Sequence, residues 1–333
     1  MKKYMSQYGK FVLSVLVIII IISWLKPLGA QIFDLVLNTP VAEPKFGIFA
    51  ESEKTTTLKT GKVVNAALKK LVNSTTTYYK TEDLTITSIS FDKNYIKPES
   101  GYTEIQETGV PVYAWKDRTT IKITSDADIV YANADSSYLF YNFENLSSIN
   151  FDIDTSKVTN MSYMFGNAGY DSDVNFFNLD LSNWNVSNVT DMSYMFNGAG
   201  YSATTWSIGG LSNWNTSNVT NMFAMFYDAG HKATTFNLDL SNWDVSNVTN
   251  MMSMFFYAAA DANTFKLNIS NWNASKVTTM EAMFGHTADY ATNWEVIIPK
   301  KTGTITNTAT KFYGKNPSVY TPPAFEKSFS FLN

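Results

Sequence analysis

Along FNLDLSNW, Phe236 to Trp243, apolar and polar positions alternate. Phe236, Leu238 and Leu240 fall on one face, Asn237 and Asp239 on the other. A period of two predicts a short, half-buried strand. The next apolar set has a different spacing. In VTNMMSMF, Val248, Met251, Met254 and Phe255 stand at i, i+3, i+6 and i+7. That spacing predicts one face of a short helix or 3₁₀ turn, with Asn247 or Thr249 able to cap it. The pair of patterns recurs. Met161, Met192, Met222, Met251 and Met280 are 31, 30, 29 and 29 residues apart. Phe165, Phe196, Phe226, Phe255 and Phe284 follow them, and Trp184, Trp214, Trp243 and Trp272 form a further column, with Ile153 in the tryptophan place of the first unit. A fixed period of ~30 residues predicts a solenoid. The expected fold class is therefore an α/β repeat solenoid, with a short strand and a short helix in each unit.

Insertions show which part of the unit is rigid. They fall inside YDSDVN and at Gly209-Gly210, where a strand bulge is expected. The stretch from each Trp to the following Phe keeps one length. The Trp and Met columns are then core. Asn183, Asn213, Asn242 and Asn271, just before each Trp, are expected to bond backbone groups of neighbouring coils, because irregular turns leave such groups unpaired. One column varies while the core holds. Five residues after each Phe stand Tyr170, Tyr201, His231, Ala260 and Asp289. A variable loop column on a constant scaffold can present a graded surface, and tyrosine suits protein or glycan contact. Tyr170, Tyr201 and His231 are thus the candidate partner-binding residues.

The flanks differ in character. Lys2, Lys3 and Lys10 precede the uncharged run FVLSVLVIIIIISWL, residues 11–25. Residues 1–30 are expected to be an uncleaved membrane anchor, or a secretory signal cut near Ala30. The anchor reading puts the N-terminus in the cytoplasm and the rest outside, at the cell surface, with the bacterial membrane as a partner. Residues 31–60 read as a stalk or linker. Residues 61–150, with the helical NAALKKLVNS and the alternating LTITSISF and TTIKITSD, read as an N-terminal α/β cap over the open apolar end of the coil. The repeats span 151–300, and 301–333 reads as a C-terminal cap or tail.

The block LSNWNVSNVTDMSYMF, Leu181 to Phe196, resembles the repeat of BspA-like surface proteins of bacteria, LSNWDTSNVTDMSxMF. The match holds from Trp184, Trp214 and Trp243 to the following Phe, and the resemblance covers about residues 150–300. It implies a leucine-rich-repeat-like fold and an exported adhesin that attaches to host proteins or other cells. The alternative is a structural subunit of an envelope or pilus-like assembly held by the N-terminal apolar helix, although no prepilin cleavage pattern is present.

Composition narrows the chemistry. The chain has 333 residues, 45% hydrophobic and 16% charged, with a net charge of −4. No Lys/Arg cluster occurs outside the N-terminus, which argues against a nucleic-acid partner. The absence of cysteine excludes disulfides, thiolate metal sites and a lipid-modified Cys. His231 and His286 fall in different columns, so no repeated metal site is expected. Asp171, Asp173 and Asn175 imitate the start of a calcium loop, but the central Gly is missing and Ser182 stands where the closing Glu belongs. No phosphate loop, GxSxG or HExxH occurs. The expectation is a binding protein with no reaction, no cofactor and no metal, whose partner is a macromolecule, protein or glycan, outside the cell.

Overall fold

The computed structural model describes residues 53–73, 82–171 and 174–297. The membrane or signal segment 1–30, most of the 31–60 linker and the 301–333 tail lie outside them.

The described chain is a stacked-coil β-solenoid. Each alternating segment forms one short strand: β8 (Ser148–Asn150), β9 (Phe176–Asp180), β10 (Thr205–Gly209), β11 (Thr235–Asp239), β12 (Thr264–Asn268) and β13 (Asn293–Ile297). These pair in parallel, each with the strand of the next coil, so that Phe236 meets Phe265 and Leu238 meets Leu267. Upstream, β2 (Ser88–Phe91) continues the stack in parallel between β8 and β6 (Thr120–Ser125). Two antiparallel strands close that end, β5 (Val112–Asp117) and β3 (Tyr102–Glu104), giving a ten-stranded sheet. A second sheet joins β4 (Gln106–Gly109), β1 (Thr55–Leu58) and β7 (Ile129–Tyr131). The alternation puts Phe, Leu and Ile inward and Asn, Ser and Asp outward, as a one-sided sheet requires.

The predicted repeat helix does not form, and this corrects the expected α/β, leucine-rich-repeat-like coil. Residues from each Met through the following alanine make a ribbon of tight turns. In the unit beginning at Met161, Met164, Gly166 and Ala168 donate their N–H groups three residues back, to Met161, Tyr163 and Phe165. The intervening residues Met161, Tyr163, Phe165 and Asn167 donate to the next coil instead, at Asp191, Ser193, Met195 and Asn197. An α-helix sends every N–H to its own i−4 carbonyl, so this alternation excludes it. The backbone shows why. Tyr163, Asn167 and Gly169 are left-handed, as are their counterparts Tyr194, Gly198 and Gly200 in the next coil. Among the described residues the one α-helix is α1, Gly61–Val72.

The core runs as columns down the stack. Phe140, Phe165, Phe196, Phe226, Phe255 and Phe284 lie ring on ring at 5.1–5.5 Å. Trp214, Trp243 and Trp272 stack nearly parallel, and each indole N–H donates to a carbonyl one coil back: Leu181, Leu211 and Leu240. Cross-coil amide bonds run through Asn188, Asn218 and Asn247, which donate to the carbonyls of Ser156, Ser187 and Ser217. In the column before Trp, Asn242 makes such a bond, to Ser212.

Phe140 begins the phenylalanine column, so one more coil stands ahead of the first unit read from the sequence. Its carbonyls have no preceding coil to pair with, and α1 supplies the donors. Asn65 Nδ2 donates to both Leu139 and Tyr141, at 3.1 and 3.0 Å, and the Gly61 N–H donates to Asp135. A helix side chain thus replaces the missing coil.

The membrane reading is also corrected. Among the described residues no helix is long and apolar enough to cross a membrane. Helix α1 has twelve residues, including Lys62, Lys69 and Lys70, far below the ~20 apolar residues a spanning helix needs. The run 11–25 that suggested an anchor, a membrane partner and a cytoplasmic N-terminus lies outside the described residues, and that topology is not carried forward.

Candidate functional site: a stacked aromatic edge

At the end of each turn ribbon the chain reverses toward the next strand. The residue five after each Phe projects there, and so does the residue two after it. The second is left-handed in every coil: Asn167, Gly198, Asp228, Tyr257 and His286.

The three residues expected to bind a partner stand together. Tyr170 stacks on Tyr201 and Tyr201 on His231, both at 4.5 Å between centroids. The stack continues, but not through the expected column. Ala260 and Asp289 are buried. The next rings are Tyr257, 6.0 Å from His231, and His286, 4.5 Å from Tyr257. Five rings from five coils therefore form one line that changes column between the third and fourth coils. Tyr257 and His286 stand two residues after their Phe, so a column read at the fixed offset of five does not reach them. The signal was present: where the later position becomes Ala, an aromatic appears three residues earlier.

The change of column carries its polar partner with it. His231 Nδ1 lies 2.9 Å from Asp228 Oδ1, and its Nε2 lies 3.9 Å from Asp261 Oδ2 on the next coil. In the fifth coil the order reverses, and His286 Nδ1 lies 2.9 Å from Asp289 Oδ2. Each imidazole is locked by a carboxylate three residues away. Tyr170 is over a third exposed, and Tyr201, His231, Tyr257 and His286 are half-buried. Their stacking faces are turned to one another, so the stack offers ring edges, hydroxyls and nitrogens. Partial burial raises the phenol pKa of both Tyr170 and Tyr201, with the nearby carboxylates adding to it. Both remain neutral donors in the physiological range.

The rest of the inventory is sparse. Among the described residues no group of three or more His, Cys, Asp or Glu side chains could hold a metal. Of the calcium-like set, Asp173 lies outside the described residues.

A family model matches residues 130–201 and 201–318, more than half of the 333. The chain belongs to the family described as Mycoplasma protein of unknown function, DUF285. This replaces the resemblance to BspA-like leucine-rich-repeat proteins. The DUF285 repeats here are coils of a parallel β-solenoid built on tight turns, not the strand-and-helix units of a leucine-rich-repeat horseshoe. The match begins in β7, so it takes in the extra coil around Phe140, and it includes all five rings of the stack. No curated protein and no solved structure matches the chain.

Proposed function

We propose that this domain is a non-catalytic, adhesin-type scaffold that binds a protein or glycan of a host or neighbouring cell along the edge of the aromatic stack. A repetitive solenoid that exposes one varied line of side chains is suited to binding a macromolecule. The observation that carries the reading is the stack itself: Tyr170, Tyr201, His231, Tyr257 and His286 form a continuous row on an otherwise repeated frame. The rings are held by one another, and the histidines also by carboxylates, so little side-chain freedom is lost when a partner docks. Tyrosine and histidine edges supply hydrogen bonds at low entropic cost.

The test is a pair of double variants, Tyr170→Ala/Tyr201→Ala and His231→Ala/Tyr257→Ala, screened beside the parent chain on extracellular-matrix proteins and a glycan array. Each variant should keep the parental circular dichroism spectrum and lose at least tenfold in affinity for whatever the parent binds. Undiminished binding by both would remove the stack from the interface.

A further inference from the structure

The two ends of the coil stack meet their backbone groups differently. At the first, α1 supplies donors to carbonyls that lack a preceding coil. At the second the polarity is reversed. Met251, Ser253, Phe255 and Tyr257 donate their N–H groups forward, to Thr279, Glu281, Met283 and Gly285 of the last described coil. The equivalent N–H groups of that coil at Met280, Ala282 and His286 meet no acceptor among the described residues. Strand β13 pairs there only with β12. Yet the apolar face of this coil is not open to water. Met280 is 3% exposed, and Met283 and Phe284 are 2% exposed. A terminal coil buried this well has a cover.

The cover must bring carbonyls, because the forward row consists of donors. The same end of a second copy would set donors against donors. The other end of a second copy has its carbonyls at Asp135, Leu139 and Tyr141 already taken by α1. The continuation of the chain itself fits. Ile305, Thr306 and Phe312 each stand 28 residues after Val277, Thr278 and Phe284. Gly314 and Asn316 fall 28 residues after His286 and Ala288, both left-handed. Glycine and asparagine adopt that backbone most readily. The family match also runs on to residue 318. Beyond it, Pro322 and Pro323 fall within 321–325, 28 residues on from β13. Proline cannot donate to a ladder, so the sheet is not extended there.

We propose that this end of the solenoid is a docking face for residues 305–316 of the same chain, laid on it as one final turn ribbon. Phe312 then extends the phenylalanine column beyond Phe284. The carbonyls of Asn307, Ala309 and Tyr313 accept from Met280, Ala282 and His286. Thr308 and Lys311 take the places held by Met280 and Met283 in the coil before. Polar residues there leave no apolar face for a further coil, so the stack stops. The aromatic edge stops with it at His286, because Gly314 and Pro317 occupy the two ring offsets.

The chain has no cysteine, so paired thiols can report the contact. In the full chain, Thr278→Cys/Thr306→Cys places one thiol on the last described coil and one on the docked segment. Neighbouring coils lie about 4.8 Å apart, within reach of a disulfide. Thr249→Cys/Thr278→Cys, between two described coils, and Thr220→Cys/Thr306→Cys, three coils apart, serve as comparisons. Under oxidised glutathione, mass spectrometry should find an intrachain disulfide in the first two pairs and free thiols in the third. Phe312→Ala should slow closure of the Thr278/Thr306 pair about threefold or more. Hydrogen exchange of the parent chain gives a reading that needs no substitution: the Met280, Ala282 and His286 amides should be protected about tenfold or more over an unstructured peptide. Thr278/Thr306 thiols that stay free, or that close only between two chains, would overturn the proposal. So would closure unaffected by Phe312→Ala, or unprotected amides at all three positions.

Discussion

At the scale of single residues, the constant positions of the repeat solve one problem many times. Trp243 is typical. It is almost wholly buried, stacks on Trp214 and Trp272 at 6.1 and 6.5 Å, and donates to Leu211 at 2.7 Å. Trp243→Ala would leave a cavity between two rings and an unmet carbonyl, and should cost about 3–5 kcal/mol in denaturant unfolding. A loss under 1 kcal/mol would mean the column is not core. The left-handed positions are less forgiving than their residue types suggest. At Gly200 an added Cβ would meet the Phe177 and Trp206 side chains at 2.7 Å. Gly200→Ala should therefore destabilise by about 1–3 kcal/mol, although Ala259 is native at the equivalent place two coils later, with φ of 50°. Thermal unfolding of the purified variant reads this difference directly.

At the scale of elements, the strands were legible and the turns were not. Alternation in FNLDLSNW leads to β11 at Thr235–Asp239 because a period of two survives any strand twist. The Met-Phe segment misled because turn and helix share its spacing. Met161, Met164, Phe165 and Ala168 are all buried, which a helix face would also give. What separates the two is a left-handed backbone at Tyr163 and Asn167, and non-glycine residues carry no reliable mark of it. The extra coil was readable in hindsight, since SSYLF at Ser136–Phe140 parallels MSYMF at Met161–Phe165. Of the aromatic stack, three of the five rings were legible in the sequence; the other two depend on which backbone positions face the edge. The cap adds a consequence of its own. Asn65→Ala removes the donors to Leu139 and Tyr141, and should cost about 2 kcal/mol or more; an unchanged melting temperature would show that water replaces the amide. The same helix buries Lys69, whose amine is pushed down to about 7 by desolvation, only partly offset by Asp83, Glu144 and Glu82. Burial, with Glu82 and Asp171, raises Glu144 to about 7. Between pH 4.5 and 7 the folded state holds the extra proton on Glu144, so stability falls as pH rises. Between pH 7 and 10.5 the unfolded state holds the extra proton on Lys69, so stability climbs. Urea unfolding at pH 5, 7 and 9 should show this cap weakest near 7, and Lys69→Met should flatten the alkaline limb. A parent profile without a minimum near neutrality would refute the assignment.

At the scale of the molecule, each coil touches its neighbours and little else, so stability should be close to a sum over coils and interfaces. A deletion can exploit that. Phe226 and Phe255 occupy equivalent places, so removing 227–255 joins Phe226 to Phe256 with every column in register. Strand β11 and Trp243 are lost, but Trp214 then faces Trp272, and β10 faces β12. The shortened chain should fold, with a circular dichroism spectrum of the same shape and a modestly lower unfolding midpoint. The aromatic edge loses His231, and Tyr257 moves into the coil that follows Tyr201, the same relation it now holds to His231. Binding through the edge should then weaken in proportion to the lost rung. A deletion variant that fails to fold would mean the coils are coupled over longer distances than their contacts indicate. One that folds with full edge binding would place the interface elsewhere on the solenoid.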